Sequence, residues 1–381
     1  MKKKLFTALG SMSGTSMDGV DISIVKSDGN AEFIRIFDKF FEFDRNLQKK
    51  LLDIRNYLTT LKDLERFSKE LNEVEREFTL FNAKIINETI KEYEKKIDLI
   101  GFHGQTIFHY PDKKVSKQLG DGKLLSQITK KIVVNNFREK DLMNGGQGAP
   151  LTPIFHRLLS KSLNEKNNIT FPMNILNIGG ITNITQVIDY NESKYDNFYA
   201  LDIAPGNCLI DEWVRRNSKK KFDKNGEIAK SGKVNNLVLD QAIDNFVIKN
   251  FDKSLDIKDF DISFAKGLSL EDGCATITKF TAHLISKGIN YINNQNNSLP
   301  VFNLVCGGGR KNNYLIQSIK ECLSKSQKLE DIENYELKGD FIESQAFGYL
   351  SIRSYLKLPI SFPNTTNCKS PTIGGNIISN F

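Results

Sequence analysis

The sequence predicts an α/β fold arranged as two related domains, and three observations carry that expectation. The chain has 381 residues, enough for about two domains of roughly 100–200 residues each. Short apolar runs alternate with longer stretches of helical spacing, the pattern of strands laid against helices. One arrangement, a strand, a glycine-containing polar turn and a second strand, occurs twice, beginning near residues 5 and 174.

Residues 5–9 are apolar, residues 10–19 form a Gly/Ser/Thr/Asp loop, and residues 20–26 alternate, which reads as a hairpin. Residues 32–43 add a strand through Phe33, Ile34, Ile36, Phe40, Phe41 and Phe43. Residues 46–96 are heavily charged but place Leu47, Leu51, Leu52 and Ile54, then Phe78, Phe81, Ile85 and Ile86, at helical spacing. A short buried strand is expected at 98–101, stopping at the polar turn 102–106, and residues 127–134 read as a helix end followed by a strand. Residues 144–150 form a glycine-rich turn. In the second block, apolar runs at 174–178 and 184–188 flank Gly179-Gly180, and a strand at 198–203 ends near Asp202. Trp213 falls in the helix after Asn207 as a core residue. A strand at 300–306 runs into Gly307-Gly308-Gly309, a helix covers 314–323, and an amphipathic helix over 342–358 comes last.

Composition removes several classes of function. With 26 Phe and few low-complexity runs, disorder is not the dominant state. The longest apolar stretches, 300–306 and 98–102, fall far short of the ~20 residues of a membrane span. The start is basic, but Gly10, Ser11, Ser13, Asp18 and Asp21 break the apolar run that follows, so a signal peptide is not expected and the cytoplasm is the default location. The net charge is +7, yet the basic runs 2–4 and 215–221 are short and no nucleic-acid motif accompanies them, so no nucleic-acid partner is expected. The 5 Cys include no CxxC pair and the 4 His no HExxH, which disfavours a zinc centre and fits reduced thiols.

Three glycine loops follow strands. In the first, successive backbone amides around Gly14, Thr15, Ser16, Met17, Asp18, Gly19, Val20 and Asp21 can converge on phosphate oxygens. Asp18 and Asp21 would repel phosphate unless a divalent cation lay between, and hard carboxylate oxygens suit Mg²⁺. The loop is neither a Walker A nor a GxGxxG motif. The second loop, with Gly179, Gly180 and Asn183, and the third, with Gly307, Gly308 and Gly309, read equally well as tight turns or as backbone for an anion or nucleoside. Asp202 ends a strand, where α/β folds place ligand sites; it reads as a general base or as a cap of the following turn. His103 and Gln105, and the turn 144–150, could bind a polyol, while His109 and His156 read as structural. Arg138 and Asp141 precede that turn and could form a local ion pair. Glu343 opens the last helix, where the dipole favours a carboxylate in any case.

Taken together and in order, these motifs resemble those of the anhydro-N-acetylmuramic acid kinase family. Residues 12–21, Met-Ser-Gly-Thr-Ser-Met-Asp-Gly-Val-Asp, are similar to its MSGTSxDGVD signature; His103-Gly-Gln-Thr, the segment from Phe137-Arg138 through Asp141 to Leu151, Asn177 through Asn183, Asp202 through Asp211, Cys306 through Asn312, and Glu343-Ser-Gln-Ala-Phe resemble its further motifs. The resemblance implies two related actin-like ATPase (ribonuclease H-like) domains with an ATP cleft between them: residues 1–150 plus 345–381 as the N-terminal domain with sugar-pocket insertions, and 151–344 as the C-terminal domain on the nucleotide side. It implies ATP and Mg²⁺ as cofactors, a small sugar substrate, no membrane, and a homodimer. The implied reaction opens the 1,6-anhydro ring of anhydro-N-acetylmuramic acid with water and phosphorylates O6, giving N-acetylmuramic acid 6-phosphate in peptidoglycan recycling. Asp202 is implied as the general base, residues 14–21 with Gly179, Gly180, Asn183 and Gly307–Gly309 as the nucleotide and Mg²⁺ site, and His103, Gln105, Arg138, Asp141 and Glu343 as sugar contacts. Two places depart from the family: Ile203-Ala204 stands where it has Thr-Gly, and the stretch 366–371 is altered. The alternatives are a kinase of another sugar or a nucleotide-dependent binding module; Asp202 argues against the latter, since binding ATP has no need of a base.

Overall fold

The computed structural model describes residues 4–192, 195–246, 251 and 253–381; Lys2 and Lys3 of the first basic run lie outside them. The chain divides into two compact units, one made of Met1–Leu158 with Phe341–Phe381 and the other of Leu159–Asp340. The fold is α/β, and each unit is built on its own mixed sheet.

The strands of the first unit are β1 (Phe6–Ser13), β2 (Gly19–Ser27), β3 (Phe33–Glu42), β4 (Leu99–Tyr110), β5 (Val115–Leu119) and β6 (Ile132–Asn135). Those of the second are β7 (Met173–Ile178), β8 (Ile181–Val187), β9 (Phe198–Pro205), β10 (Phe302–Cys306) and β11 (Lys328–Asp331), and β12 (Asn376–Ile378) returns to the first. The spatial orders are β12-β6-β4-β1-β2-β3, with β5 beside β4, and β11-β10-β7-β8-β9. In both, three consecutive strands form an antiparallel meander, and two later strands add in parallel on the far side of the first. The repeated order bears out the internal duplication read from the two strand–turn–strand segments.

Strand alternation gives the first sheet two apolar faces. Leu9, Ile22, Ile24, Ile100 and Phe102 pack with Leu51, Phe78 and Ile85 of the helices Arg45–Tyr57 and Ser68–Tyr93. Ala8, Val25 and Leu99 pack with Ile352 of the helix Ile342–Tyr355. That last helix lies so close that a Cβ on Gly10 would stand 1.9 Å from the Ser344 carbonyl, and one on Gly101 2.2 Å from that of Phe347. In the second unit, Leu176, Ile178, Ile184, Ile203 and Val305 pack with Ile277, Leu284 and Ile285 of the helix Leu270–Gln295. Trp213 is buried as expected, and its indole N–H donates to the Leu270 carbonyl at 2.9 Å.

Several boundaries differ from the sequence reading. β1 continues to Ser13, because Gly10, Ser11 and Ser13 are small, fully paired and hydrogen-bonded, so only residues 14–18 turn. β4 does not stop at 101: it passes through residues 102–106, absorbing His103-Gly104 as a bulge against β1, and forms a hairpin with β5 that the sequence reading missed. The region 46–96 is three helices, with Leu61–Arg66 between the two named above. The long helix Leu270–Gln295 escaped the reading because buried Thr, Ser, Gly and Asn interrupt its apolar stripe.

Candidate active site

In the first unit the β1–β2 turn turns its carbonyls inward. The Gly14 carbonyl accepts from Gln105 Nε2 at 3.1 Å, that of Thr15 from Arg55 at 2.8 Å, that of Met17 from Gln48 Nε2 at 3.1 Å, and that of Asp18 from the Phe43 amide at 2.9 Å. Thr15 and Ser16 at the tip are exposed, whereas Met17, at φ +52°, and Val20 are fully buried. Successive amides in a turn of this kind are the groups from which an anion-binding nest is built. Ser16 Oγ donates to Asp18 Oδ1 at 2.6 Å, so the exposed Asp18 carboxylate is held beside the tip, and Asp21 follows half-buried on β2.

Gln105 is almost fully buried beneath that turn. Its Oε1 accepts from Ser13 Oγ at 2.6 Å while its amide holds Gly14. The side chain thus braces the loop. His103 is buried in the bulge of β4: Nδ1 meets the Gly104 carbonyl at 2.9 Å, Nε2 accepts from Arg138 at 3.1 and 3.2 Å, and the ring packs on Phe347. Burial, reinforced by the Arg138 charge, lowers its pKa to about 3, so the ring is neutral with its proton on Nδ1. Arg138 also donates to the Gly148 carbonyl at 3.2 Å. Asp141 is fully buried; one oxygen accepts from the Gly148 amide and the other from Thr366 Oγ1, both at 2.7 Å. Arg138 and Asp141 therefore grip the same glycine turn by its carbonyl and its amide, and the altered stretch 366–371 supplies one of the anchors. Glu343 sits half-buried in the first turn of the last helix. His109 is half-buried against Ser116 Oγ and His156 is fully buried; desolvation lowers the pKa of both to about 3, with the Arg138 charge adding to it at His109.

In the second unit a bulge between Thr182 and Asn183 sets Thr182 opposite Ala204 and Asn183 opposite Asp202, leaving Ile203 as the extra residue. The strand does not end near Asp202 as the sequence suggested: β9 runs on to Pro205, and the bulge re-aims it at Asp202 within the strand. Asp202 is mostly buried, and one of its oxygens accepts the Leu255 amide at 3.0 Å. Asn183 Oδ1, beside it, is buried with no partner among the described residues. Ile203 and Ala204 both join the apolar core, so the bulk that departs from the family's Thr-Gly is absorbed there. The Gly179-Gly180 turn is tied to the start of the next helix by Gly206 and Asn207, whose amides donate to its carbonyls at 2.8 Å.

The third loop stands at the end of β10. A Cβ on Gly307, at φ +79°, would lie 2.3 Å from Asn177 Oδ1, and one on Gly309 2.2 Å from Ile178. These glycines are required by the close approach of β7. Three others are not: Gly14, Gly179 and Gly308 have ordinary φ, and a Cβ there would meet nothing nearer than 3.9 Å, nothing nearer than 3.6 Å, and nothing within 4 Å, respectively. One such glycine lies in each of the three loops. Arg310, to which the sequence reading gave no role, binds the Gly307 carbonyl and three carboxylates; its signal was an arginine directly following Gly-Gly-Gly.

Among the described residues no helix is long and apolar enough to cross a membrane, and no group of three His, Cys, Asp or Glu side chains is placed to hold a metal. A family model described as anhydro-N-acetylmuramic acid kinase matches residues 6–380. The anhydro-N-acetylmuramic acid kinase of Pelagibacter ubique is 53% identical over 381 residues, covering 100% of both chains, and that of Agrobacterium fabrum is 34% identical over 378 residues, covering 98% of both. Among solved structures, a hexokinase from Schistosoma mansoni complexed with glucose aligns over 91% of this chain and 85% of its own at 10% identity, with a TM-score of 0.42. With the family model spanning nearly the whole sequence and full-length relatives above 30% identity, the chain belongs to the anhydro-N-acetylmuramic acid kinase family.

Proposed function

We propose that the chain uses ATP and water to convert anhydro-N-acetylmuramic acid to N-acetylmuramic acid 6-phosphate, with Asp202 as general base. The observation that carries the nucleotide part is the set Gly14, Gly179 and Gly308. Glycine is conformationally expensive, by roughly 0.5–1 kcal/mol relative to Ala in regular structure, and nothing within the chain crowds these three positions. A ligand lying against the backbone of each loop supplies the reason.

Asp202 takes a proton from the water that attacks the anomeric carbon. The bond from that carbon to the bridging oxygen breaks, and the electron pair goes to the oxygen, the former O6. That oxygen bonds to the γ-phosphorus as the bond to the leaving ADP oxygen breaks. The net products are the 6-phosphate, ADP and one proton. The Leu255 amide holds the Asp202 carboxylate in place, and the buried acceptor Asn183 Oδ1 suits the second hydrogen of the same water. In the first unit, the amides and hydroxyls of Thr15 and Ser16 suit the terminal phosphates, because phosphoryl transfer depends on positioning and charge neutralisation.

Asp18 and Asp21 fit Mg²⁺ by chemistry: the ion takes one or two carboxylates, with water and phosphate oxygens completing its shell, so a cluster of three protein ligands is not needed. Held there by Asp18 and Asp21, the ion would supply neutralisation of the phosphate charge. His103, Arg138 and Asp141 shape the 144–150 turn, and with Glu343 they form the proposed sugar side; Gln105 supports the phosphate loop. A cytoplasmic homodimer completes the proposal.

The test is incubation with ATP, Mg²⁺ and anhydro-N-acetylmuramic acid, followed by mass spectrometry of the sugar. Gain of one water and one phosphoryl group is expected. Phosphorylation of other sugars with the anhydro-sugar left untouched would favour a kinase of different specificity.

A further inference from the structure

We propose that Arg310 is a positioning residue for nucleotide binding: it locks the glycine loop at the end of β10 into the shape that receives the nucleoside. The inference rests on the nucleotide role assigned above to residues 307–309.

The Arg310 side chain is 3% exposed, although it leaves a short turn at the protein surface. Its guanidinium donates to the Gly307 carbonyl at 3.0 Å, and to Glu333 and Asp340, while Nε lies 3.4 Å from Asp331. The three acids come from the end of β11, from the turn after it, and from residue 340. The backbone closes the same knot: the Gly307 amide donates to the Gly339 carbonyl at 3.0 Å, and a Cβ on Gly339 would lie 2.6 Å from Arg310 Nε. Both polar groups of Gly307 are thereby fixed, one by Arg310 itself and one by the chain that Arg310 holds.

This fixation sets what faces outward. Gly307 is held left-handed against Asn177 and Ile178, Gly309 is pressed on Ile178, and Gly308 alone of the three is exposed, with no atom of the chain near its missing side chain. The clamp needs a planar fork able to serve a carbonyl and several carboxylates at once, which a lysine point charge cannot reproduce. Burial disfavours the charge, but the bond to Asp340 and the charges of Asp340, Glu333 and Asp331 outweigh it and keep the guanidinium protonated. Three carboxylates meet two cations here, Arg310 and Lys311, the latter 2.7 Å from Asp340. Loss of Arg310 frees the loop and leaves excess negative charge beside a site meant for a polyanion.

The experiment measures binding of a non-hydrolysable ATP analogue by calorimetry, together with steady-state kinetics in ATP and in the sugar, for wild type, Arg310→Met, Arg310→Lys and Glu333→Gln. The analogue Kd and the ATP KM are expected to rise at least tenfold in Arg310→Met and several-fold in Arg310→Lys and Glu333→Gln. The sugar KM and kcat at saturating ATP should stay within about twofold. A merely structural role would lower the melting temperature and the active fraction, and so reduce kcat while leaving the ATP KM unchanged; that outcome overturns the inference. If Arg310→Met does not fold, Glu333→Gln and Arg310→Lys decide it by the same criterion. Wild-type protein that binds no analogue would overturn the nucleotide reading itself, and this inference with it.

Discussion

Gly308→Ala separates ligand from fold more cleanly than any other single change. The new methyl has no neighbour within 4 Å and the backbone angle is ordinary, so no internal clash or left-handed strain arises. Stability should move by no more than about 0.5 kcal/mol, and the stiffer unfolded chain pushes toward a gain. Gly307→Ala, one residue away, is the internal contrast: it forces an alanine to φ +79° and drives a Cβ to 2.3 Å from Asn177 Oδ1 and 2.7 Å from the Ile178 carbonyl. Strain of that kind costs about 1–3 kcal/mol, before any overpacking is added. If a nucleoside lies on Gly308, the methyl stands where ligand atoms must be, and an overpacking penalty of about 1–3 kcal/mol becomes roughly a 5- to 150-fold loss in ATP affinity. Urea unfolding and analogue titration on both variants test the pair. Gly308→Ala should melt like wild type and bind poorly, whereas Gly307→Ala should be destabilised. Wild-type affinity in Gly308→Ala would show that no ligand rests on that residue, and would leave the uncrowded glycines Gly14, Gly179 and Gly308 without a ligand to explain them.

Other expectations follow from the same geometry. Asp202→Asn keeps an oxygen for the Leu255 amide but loses the base, so turnover should fall by about 10²–10⁴-fold with analogue binding intact; undiminished turnover would remove Asp202 from that role. Asp141→Ala strands two buried donors, the Gly148 amide and the Thr366 hydroxyl, at about 1–3 kcal/mol each, read as a lower urea midpoint. His103, His109 and His156 have folded-state pKa values lowered to about 3 against 6.5 when unfolded. Between those limits the unfolded chain binds more protons, so stability is complete above pH 6.5 and declines as pH falls, by about 1.4 kcal/mol per pH unit for each histidine. Denaturation between pH 7 and 4 should show this slope, and His156→Gln should make it shallower; an unchanged slope would mean that His156 does not contribute.

The duplication was legible in the sequence because each copy opens with apolar strands around glycines; the strand order was not, since the parallel strands added beyond β1 and β7 come from distant parts of the chain. Asp202 was legible as a carboxylate on a strand, but that strand runs on to Pro205 instead of ending there, and the bulge that aims Asp202 was not legible: nothing local distinguishes Ile203 as the extra residue, and only the pairing of Thr182 and Asn183 with β9 reveals it. Gln105 looked like a polar residue in a turn. In the structure it lies in a buried strand under another loop and braces it, because β4 runs straight through the polar residues 102–106. The Arg138 and Asp141 pairing was half readable. Both serve one turn, but Asp141 also depends on Thr366, a partner 225 positions away that no short-range pattern can supply. The clamp on Gly307 was invisible for the same reason, as its acids lie 20 to 30 residues beyond Arg310 and form no motif of their own.

The helix Ile342–Tyr355 carries a consequence for the order of folding. Its backbone is what Gly10 and Gly101 are shaped to receive, and β12 adds the outermost strand to the same sheet. During synthesis the first unit therefore emerges early but waits for almost the whole chain before its sheet can be covered, whereas the second unit is contiguous in sequence and can finish beforehand. The half of the protein that is made first is completed last, and until the ribosome has passed residue 355 one face of that early sheet is open to mispairing or to a chaperone.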